Sequence, residues 1–160
     1  HDVHFEVLRD QVAEQIGLLA AIAESEGTRV RYVKPHGALY HRVTDDAEQA
    51  AAVLAGSGAL AVLGFPGSRL LELGGDAGRA TYEEGFPDRG YADGRLIDRG
   101  RPGALLEDDE DIAAQAVHLA PRVASLCVHG DTPGAVAHAQ AVRRALESAG
   151  YRLAPFVDGP

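Results

Sequence analysis

Apolar residues recur at helical spacing near the start of the chain. The positions that share this spacing are Phe5, Leu8, Val12, Ile16, Leu19 and Ala23. Intervals of three and four residues are those of one face of an α-helix. Asp2 is suited to cap such a helix at its N-terminus, and Gly27 is suited to end it. The pattern therefore predicts an amphipathic helix between these two residues.

Short apolar runs then alternate with further helical segments. Strands are predicted at residues 28–33, 59–63, 80–84 and 123–128, with a short final strand near 151–155. Helices are predicted at residues 46–55, 68–73, 108–119 and 133–149. We expect Thr44 or Asp45 to cap the first of these four helices, and Thr132, followed by Pro133, to cap the last. This alternation predicts βαβ units and a parallel sheet, without distinguishing a barrel from an open sheet.

One long stretch interrupts the alternation. Residues 85–106 carry glycines and prolines among charged side chains, and the stretch is too long and too broken for a simple connection. It predicts a functional loop or a small hairpin.

Composition and charge limit the possible partners. The chain has 160 residues, which suits a single domain over residues 1–160, and its net charge of -9 argues against a nucleic-acid surface. No apolar run is long enough to predict a membrane span. The single cysteine, Cys127, favours a reducing cytoplasm, and homo-oligomer formation is left open. Because the chain begins at His1 instead of Met, we expect upstream sequence.

Lysine is rare in this sequence. Fourteen of the fifteen basic residues are Arg, and Lys34 is the only lysine. Arg presents a planar fork of donors, whereas Lys presents a compact ammonium that suits a single oxygen. Lys34 is therefore a candidate for a role that Arg cannot take.

Charged and imidazole side chains cluster at the predicted strand ends, where parallel α/β folds bind their ligands. They are Lys34 and His36 after the first strand, Glu84, Asp88 and Arg89 at or after the third, and His129 and Asp131 after the fourth. We expect these groups to converge on one pocket.

Simpler interpretations of these residues stay open. Asp88 and Arg89 could form an ordinary exposed ion pair, and Asp131 could only shape a local turn. Strand alternation turns only one of Glu83 and Glu84 inward.

Other chemistries find less support in the sequence. A Cys–His pair of Cys127 with His129 is a minor alternative, since cysteines in buried strands are usually inert. The glycine-rich turn at residues 64–68 lacks the Lys of a phosphate-binding P-loop. No local metal-ligand spacing occurs, so no metal ligand is assigned, although a divalent metal held between strand ends stays open.

Four sequence blocks resemble those of the LamB/YcsF family. They are VKPHGALY at residues 33–40, FPDRGY with DGRL at residues 86–96, the arginine and PGA of residues 99–104, and CVHGDTPGA at residues 127–135. Their order is that of the family, and the resemblance covers nearly the whole chain.

The resemblance implies a fold and an activity. The implied fold is an α/β, incomplete (β/α) barrel of glycoside hydrolase/deacetylase type, with parallel strands flanked by helices. The implied activity is the ATP-dependent opening of the lactam of 5-oxo-L-proline to L-glutamate, together with 5-oxoprolinase subunits B and C. The candidate catalytic residues are Lys34, His36, Glu84, His129 and Asp131, and the candidate substrate-binding residues are Asp88, Arg89, Arg99 and Thr132.

These residues suggest a mechanism. We expect Lys34 and Arg89 to hold phosphoryl or carboxylate oxygens, and either His36 or His129 to move protons. Asp131 is expected to orient an imidazole.

The sequence also departs from the family pattern. The acidic DLNxDxGE strand and the CGFHAGD loop of the family are absent from it, and residues 111–126 are shorter than usual. We therefore expect this chain to be inactive by itself. Two alternative functions remain, a metal-dependent deacetylase-like hydrolase and a non-catalytic subunit that binds substrate or scaffolds its partners.

Overall fold

The computed structural model of the chain describes residues 3–157, so the proposed cap residue Asp2 lies outside the described part. These residues form two compact units, one of residues 3–83 with residue 157 and the other of Glu84–Phe156. A single domain over residues 1–160 stays a prediction.

The first unit alternates helices with short strands. In chain order it contains α1 (Phe5–Ser25), β1 (Tyr32–Val33), α2 (Gly37–Asp45), α3 (Ala47–Gly56), β2 (Ala61–Gly64), α4 (Arg69–Asp76) and most of β3 (Thr81–Gly85). The first predicted helix is confirmed, and Gly27, with a φ of 71°, has the left-handed backbone that ends it. β1, β2 and β3 pair in parallel, as the alternating pattern predicted.

The segment after β1 is helical, which the sequence pattern did not predict. α2 fills the space between the strand and the predicted helix, so Thr44 and Asp45 belong to α2 and neither caps α3. The cap is Asp46, which has an extended backbone and whose carboxylate accepts hydrogen bonds from two N–H groups of the first turn of α3. The predicted cap positions were therefore wrong by one or two residues.

The core of the first unit is built by helices and β2. Its buried residues are Leu8, Val43, Ala50, Ala52, Val53, Val62, Leu70 and Leu71. Leu19, which we predicted on the buried face of α1, is 55% exposed. The half-buried face of α1 passes through Val12, Ile16 and Ala20 instead, because i to i+4 steps stay on one side of a helix.

The second unit packs two helices beside a hairpin and a short strand. Beyond the end of β3 it contains β4 (Tyr91–Ala92), β5 (Arg95–Leu96), α5 (Asp109–Leu119), β6 (Ser125–Leu126) and α6 (Ala135–Ser148). α5 and α6 form its core through Ile112, Ala116, Val142 and Leu146. β6 pairs in parallel with the last two residues of β3, so the pairing order is β1-β2-β3-β6.

The predicted hairpin within residues 85–106 is confirmed. β4 and β5 are antiparallel and are joined by Asp93 and Gly94, both of which have positive φ. Positive φ at both central residues is the requirement of a type I′ turn, which Asp-Gly satisfies well.

The predicted strand near residues 151–155 is wrong. In the part of the chain that the structure describes, this segment has no strand, since no neighbouring strand supplies hydrogen bonds to it. None of the helices between residues 3 and 157 combines the length and the apolarity needed to cross a bilayer.

Two glycines in helices of the first unit should respond to alanine in opposite directions. A Cβ on Gly56, at the end of α3, would lie 2.3 Å from the carbonyl oxygen of Arg9, whereas a Cβ on Gly75 in α4 would meet no atom within 4 Å. We expect Gly56→Ala to lower the unfolding free energy by about 1–3 kcal/mol through overpacking. Gly75→Ala should raise it by roughly 0.5–1 kcal/mol, since Ala favours a helix over Gly.

Chemical denaturation of both variants beside the wild type measures these changes. A Gly56→Ala protein as stable as Gly75→Ala would show that α1 and α3 do not approach as closely as described.

Candidate functional site

A histidine and an aspartate from two strand ends form the centre of the site in the second unit. Asp88 follows β3, and its side chain is 3% exposed, while His129 follows β6 with a side chain that is 24% exposed. The backbone N–H of His129 donates a hydrogen bond of 2.8 Å to Oδ2 of Asp88. The imidazole Nδ1 lies 2.9 Å from the same oxygen and 3.1 Å from Oδ1.

This arrangement sets the tautomer of the imidazole. Because the ionised carboxylate of Asp88 only accepts hydrogen bonds, Nδ1 of His129 must carry the proton that it donates. In a neutral ring Nε2 is then the basic nitrogen, and in the described residues no group hydrogen-bonds it. The ring of Phe86 stacks on the imidazole, with centroids 5.4 Å apart, and fixes its plane. His129 can therefore take up and release a proton at Nε2.

The electrostatics of Asp88 favour its charged form. Burial, the largest single influence, raises its pKa. The hydrogen bonds and the charge of His129, with a backbone hydrogen bond of Asp88 itself, together outweigh burial, so that the pKa lies below its ordinary value. The pair thus combines an ionised, buried carboxylate with an imidazole that it orients.

His129 also faces open space. It lines a groove of about 960 Å³ between β6, α6 and residues 151–156, whose wall is mostly apolar with Arg143 and Arg152 as its charged members. A groove of this size accommodates a small organic ligand.

Arg89 is buried, and its guanidinium donates hydrogen bonds to backbone carbonyls. Nε donates to the carbonyl of Ala104 at 3.0 Å, and Nη2 donates to that of Ile97 at 2.6 Å. Burial lowers the pKa of Arg89, although guanidinium stays charged. The alternative of an exposed Asp88–Arg89 ion pair is wrong, since both residues are at most 2% exposed and each has other partners.

Asp131 and Arg99 form an exposed ion pair. Nη1 of Arg99 donates to Oδ2 of Asp131 at 2.6 Å. This hydrogen bond holds the pKa of Asp131 below its ordinary value. We expected Asp131 to orient an imidazole, but the carboxylate that hydrogen-bonds His129 is Asp88. Asp88 lies at the adjacent strand end, whereas Asp131 accepts from Arg99.

The loop before α6 differs from the prediction. Thr132 and Pro133 form a turn, in which the Thr132 carbonyl accepts from the N–H of Ala135, so the helix begins at Ala135 and Gly134 occupies the cap position. Thr132 was therefore wrongly predicted as the cap. Its Oγ1 is buried and has no hydrogen-bond partner among residues 3–157.

His138 shapes this same loop. A Cβ on Gly134 would lie 2.5 Å from Nε2 of His138, whose side chain is 7% exposed. A side chain at position 134 would therefore require the buried imidazole to move, so His138 has a structural role in this loop.

Three predicted site residues lie outside the His129–Asp88 pair: Glu84 lies within β3, and Lys34 and His36 lie in the first unit. Glu84, within β3, is fully buried while Glu83 is exposed, which confirms that only one of them turns inward. Lys34 and His36 belong to the first unit, where Nζ of Lys34 lies 5.9 Å from the ring centroid of Tyr40. His36 is exposed at the N-terminus of α2. Convergence of these residues with His129 stays a prediction.

The sequence did not predict two residues that hold the site. Gln115 of α5 donates to backbone carbonyls of the loop after β3. It could have been noticed, since it shares the buried face of α5 with Ile112, Ala116 and Leu119. The hydroxyl of Tyr91 accepts from the N–H of Phe86, and burial raises the pKa of Tyr91. Between residues 3 and 157 no cluster of three or more potential metal-ligating side chains occurs.

The fold and the site together define a parallel α/β protein with an oriented histidine at a strand end. Its sequence matches the profile of the LamB/YcsF family over residues 2–159. The A subunit of 5-oxoprolinase from Streptomyces griseus is 48% identical, over 93% of this chain and 67% of the relative. The protein of the same name from Pyrococcus furiosus is 37% identical, over 96% of this chain and 68% of the relative.

A solved structure is also similar. The crystal structure of a lactam utilization protein from Thermus thermophilus matches with a TM-score of 0.85 and 33% identity, covering 94% of this chain and 67% of that one. The chain belongs to the LamB/YcsF family. The predicted fold class, an incomplete (β/α) barrel with parallel strands flanked by helices, is confirmed.

Asp88→Asn should weaken the acid dependence of stability. The pKa of folded Asp88 lies below the value of about 3.9 for an unfolded aspartate, so its contribution is fully present above that value and is lost as the pH falls through the folded pKa. We therefore expect the unfolding free energy of the wild type to decrease more steeply below about pH 5 than that of the variant. Urea unfolding at a series of pH values measures both slopes.

Asp131→Asn is the matched control. In the wild type the pKa of Asp131 is also lowered, by the hydrogen bond with Arg99, but solvent screens this exposed pair. The control should follow the wild type at every pH. Equal acid slopes for the wild type and Asp88→Asn would contradict the buried, ionised state of Asp88.

Proposed function

We propose that this chain acts as the A subunit of an ATP-dependent 5-oxoprolinase, opening the lactam of 5-oxo-L-proline to L-glutamate together with B and C subunits. The observation that carries the proposal is the His129–Asp88 pair, with Nδ1 held by a buried carboxylate and Nε2 available beside a groove. The names of the similar Streptomyces griseus and Pyrococcus furiosus proteins support it.

Lactam opening needs a group that moves protons. Water must lose a proton as it attacks the ring carbonyl carbon, and the ring nitrogen must gain one as the C–N bond breaks. Nε2 of His129 can accept the first proton and donate the second, while Asp88 stabilises the imidazolium that forms between the two steps. Phe86 keeps the ring in one plane during this exchange.

An unstrained amide resists water, and coupling to ATP would activate it by transfer of the terminal phosphoryl group to the ring carbonyl oxygen, with ADP as the leaving group. Attack of the first water and cleavage of the C–N bond would then give an acyl phosphate, and a second water would release inorganic phosphate and L-glutamate. The turn at residues 64–68 is engaged in the fold, since Ser68 is buried and its Oγ caps α4. We assign nucleotide binding to the assembly with the B and C subunits.

Two cations are assigned to oxygen atoms of the substrates. Lys34 supplies a compact ammonium for a phosphoryl or carboxylate oxygen. Arg99, whose side chain is 41% exposed and pairs with the exposed Asp131, is a more accessible candidate for the 5-oxoproline carboxylate than Arg89, because Arg89 is buried and already donates to two backbone carbonyls.

His129→Ala should reduce the turnover of the assembled enzyme by about 10²–10⁴-fold, the usual contribution of a general acid-base residue. The measurement is ATP-dependent glutamate release from 5-oxoproline with the B and C subunits present. Co-purification with those subunits should be unchanged.

His118→Ala is the control for this change. His118 is exposed on α5, where Nε2 contacts Arg122, and the variant should retain full turnover. Normal turnover of assembled His129→Ala would favour a scaffold role instead, and chelator-sensitive release of acetate from acetylated sugars would favour a deacetylase.

Lys34→Arg should also lose most of its activity, although it keeps the positive charge. The guanidinium is larger and directs its donors in a plane, so it cannot replace an ammonium at a single oxygen. The same assay measures this effect. The control is the converse exchange, Arg42→Lys. Arg42 forms an exposed i to i+4 ion pair with Asp46, and this variant should leave turnover unchanged. Turnover of Lys34→Arg near that of Arg42→Lys would remove Lys34 from the mechanism.

A further inference from the structure

The loop that carries Asp88 leaves the sheet and runs through the interior of the second unit. Every residue from Glu84 to Gly90 is buried. The loop cannot use a regular strand ladder, yet each buried carbonyl must find a hydrogen-bond donor. The way in which these carbonyls are satisfied therefore determines where the carboxylate of Asp88 lies.

The carbonyls of residues 85–90 have two kinds of donor. Backbone N–H groups serve those of Gly85, Phe86, Asp88 and Gly90. The side-chain amide nitrogen of Gln115 lies 2.9 and 2.7 Å from the carbonyl oxygens of Pro87 and Arg89, and it also lies 3.1 Å from that of Phe86. One side chain on α5 thus serves the carbonyls on either side of Asp88.

The chemistry of the amide makes this contact specific. Three acceptors surround one nitrogen, so the NH₂ group and not the carbonyl oxygen of Gln115 must face the loop. Its two hydrogens serve three carbonyls, and one bond is shared. A carboxylate of the same shape would place an acceptor against three acceptors, and an apolar side chain would leave the carbonyls of Pro87 and Arg89 without these bonds.

We propose that Gln115 is a positioning residue, which holds the loop so that the Asp88 carboxylate meets both the backbone N–H and Nδ1 of His129. Gln115 acts through Asp88, and Asp88 in turn fixes the tautomer that leaves Nε2 basic. The consequence for catalysis rests on the proposed function of His129, whereas the consequence for the tautomer does not.

The test compares Gln115→Glu and Gln115→Leu with the wild-type chain by ¹⁵N nuclear magnetic resonance of the imidazoles, at a pH at which they are neutral. We expect the wild-type His129 to be mainly the Nδ1–H tautomer, with slow exchange of that proton. Both variants should shift towards the Nε2–H tautomer and exchange the Nδ1 proton faster. In the assembled enzyme kcat should fall by about a hundredfold, as expected when a reacting group is displaced by about 1 Å, with KM little changed.

Ala116→Gly separates positioning from simple loss of stability. Ala116 is fully buried on the same helix, within the core cluster of α5 and α6, so this variant should lower the melting temperature without touching the loop carbonyls. Its His129 tautomer should be that of the wild type.

The outcomes are distinct. An unchanged tautomer in both Gln115 variants, or an equal shift in Ala116→Gly, would overturn the proposal. A shifted tautomer with normal turnover would support the positioning by Gln115 and would instead exclude His129 as the acid-base group of the proposed function.

Discussion

A buried carboxylate is the constraint on which the second unit depends. Placing an ionised aspartate away from water costs several kcal/mol unless hydrogen bonds replace its hydration. Asp88 receives those bonds from the backbone and the imidazole of His129. β3 and β6 must therefore end side by side, and the parallel pairing of Glu84 with Ser125 and of Gly85 with Leu126 meets this requirement. The geometry of the site and the stability of the fold thus have one cause.

The same constraint explains why the loop after β3 is closely packed. A Cβ on Gly90 would lie 1.8 Å from the carbonyl oxygen of Gly103, so the loop and the segment after the hairpin touch at backbone level. The buried side chain of Arg89 strengthens this contact by donating hydrogen bonds to the carbonyls of Ala104 and Ile97. The hairpin is in this way bound to the loop that holds Asp88, and Arg99, three residues after the hairpin, donates to Asp131. The family blocks that contain these residues therefore form one hydrogen-bonded structure.

The sequence predicted the elements better than it predicted their partners. Helical spacing predicted α1, α3 and α5, and the glycines and prolines of residues 85–106 predicted a functional loop or a small hairpin, because both signals are local. The strand-end positions of Asp88 and His129 were also predictable. The sequence could not predict whether Asp88 or Asp131 would bind the imidazole. That choice depends on the pairing of β3 with β6 and not on the spacing of residues. Gln115 could have been noticed on the buried face of α5, but its role was not predictable, because its partners are carbonyls that no sequence pattern marks.

The use of arginine in this structure strengthens the case for the single lysine. Arg79 donates to the carbonyls of Leu54 and Leu60, and Arg89 likewise holds two carbonyls, so arginine fulfils structural roles through its planar set of donors. Lys34 lies over the face of Tyr40, where a guanidinium would stack equally well. The contact with Tyr40 therefore does not by itself require a lysine. A compact ammonium suits a place where a single oxygen must be met, which is the role proposed for Lys34 at a phosphoryl or carboxylate group.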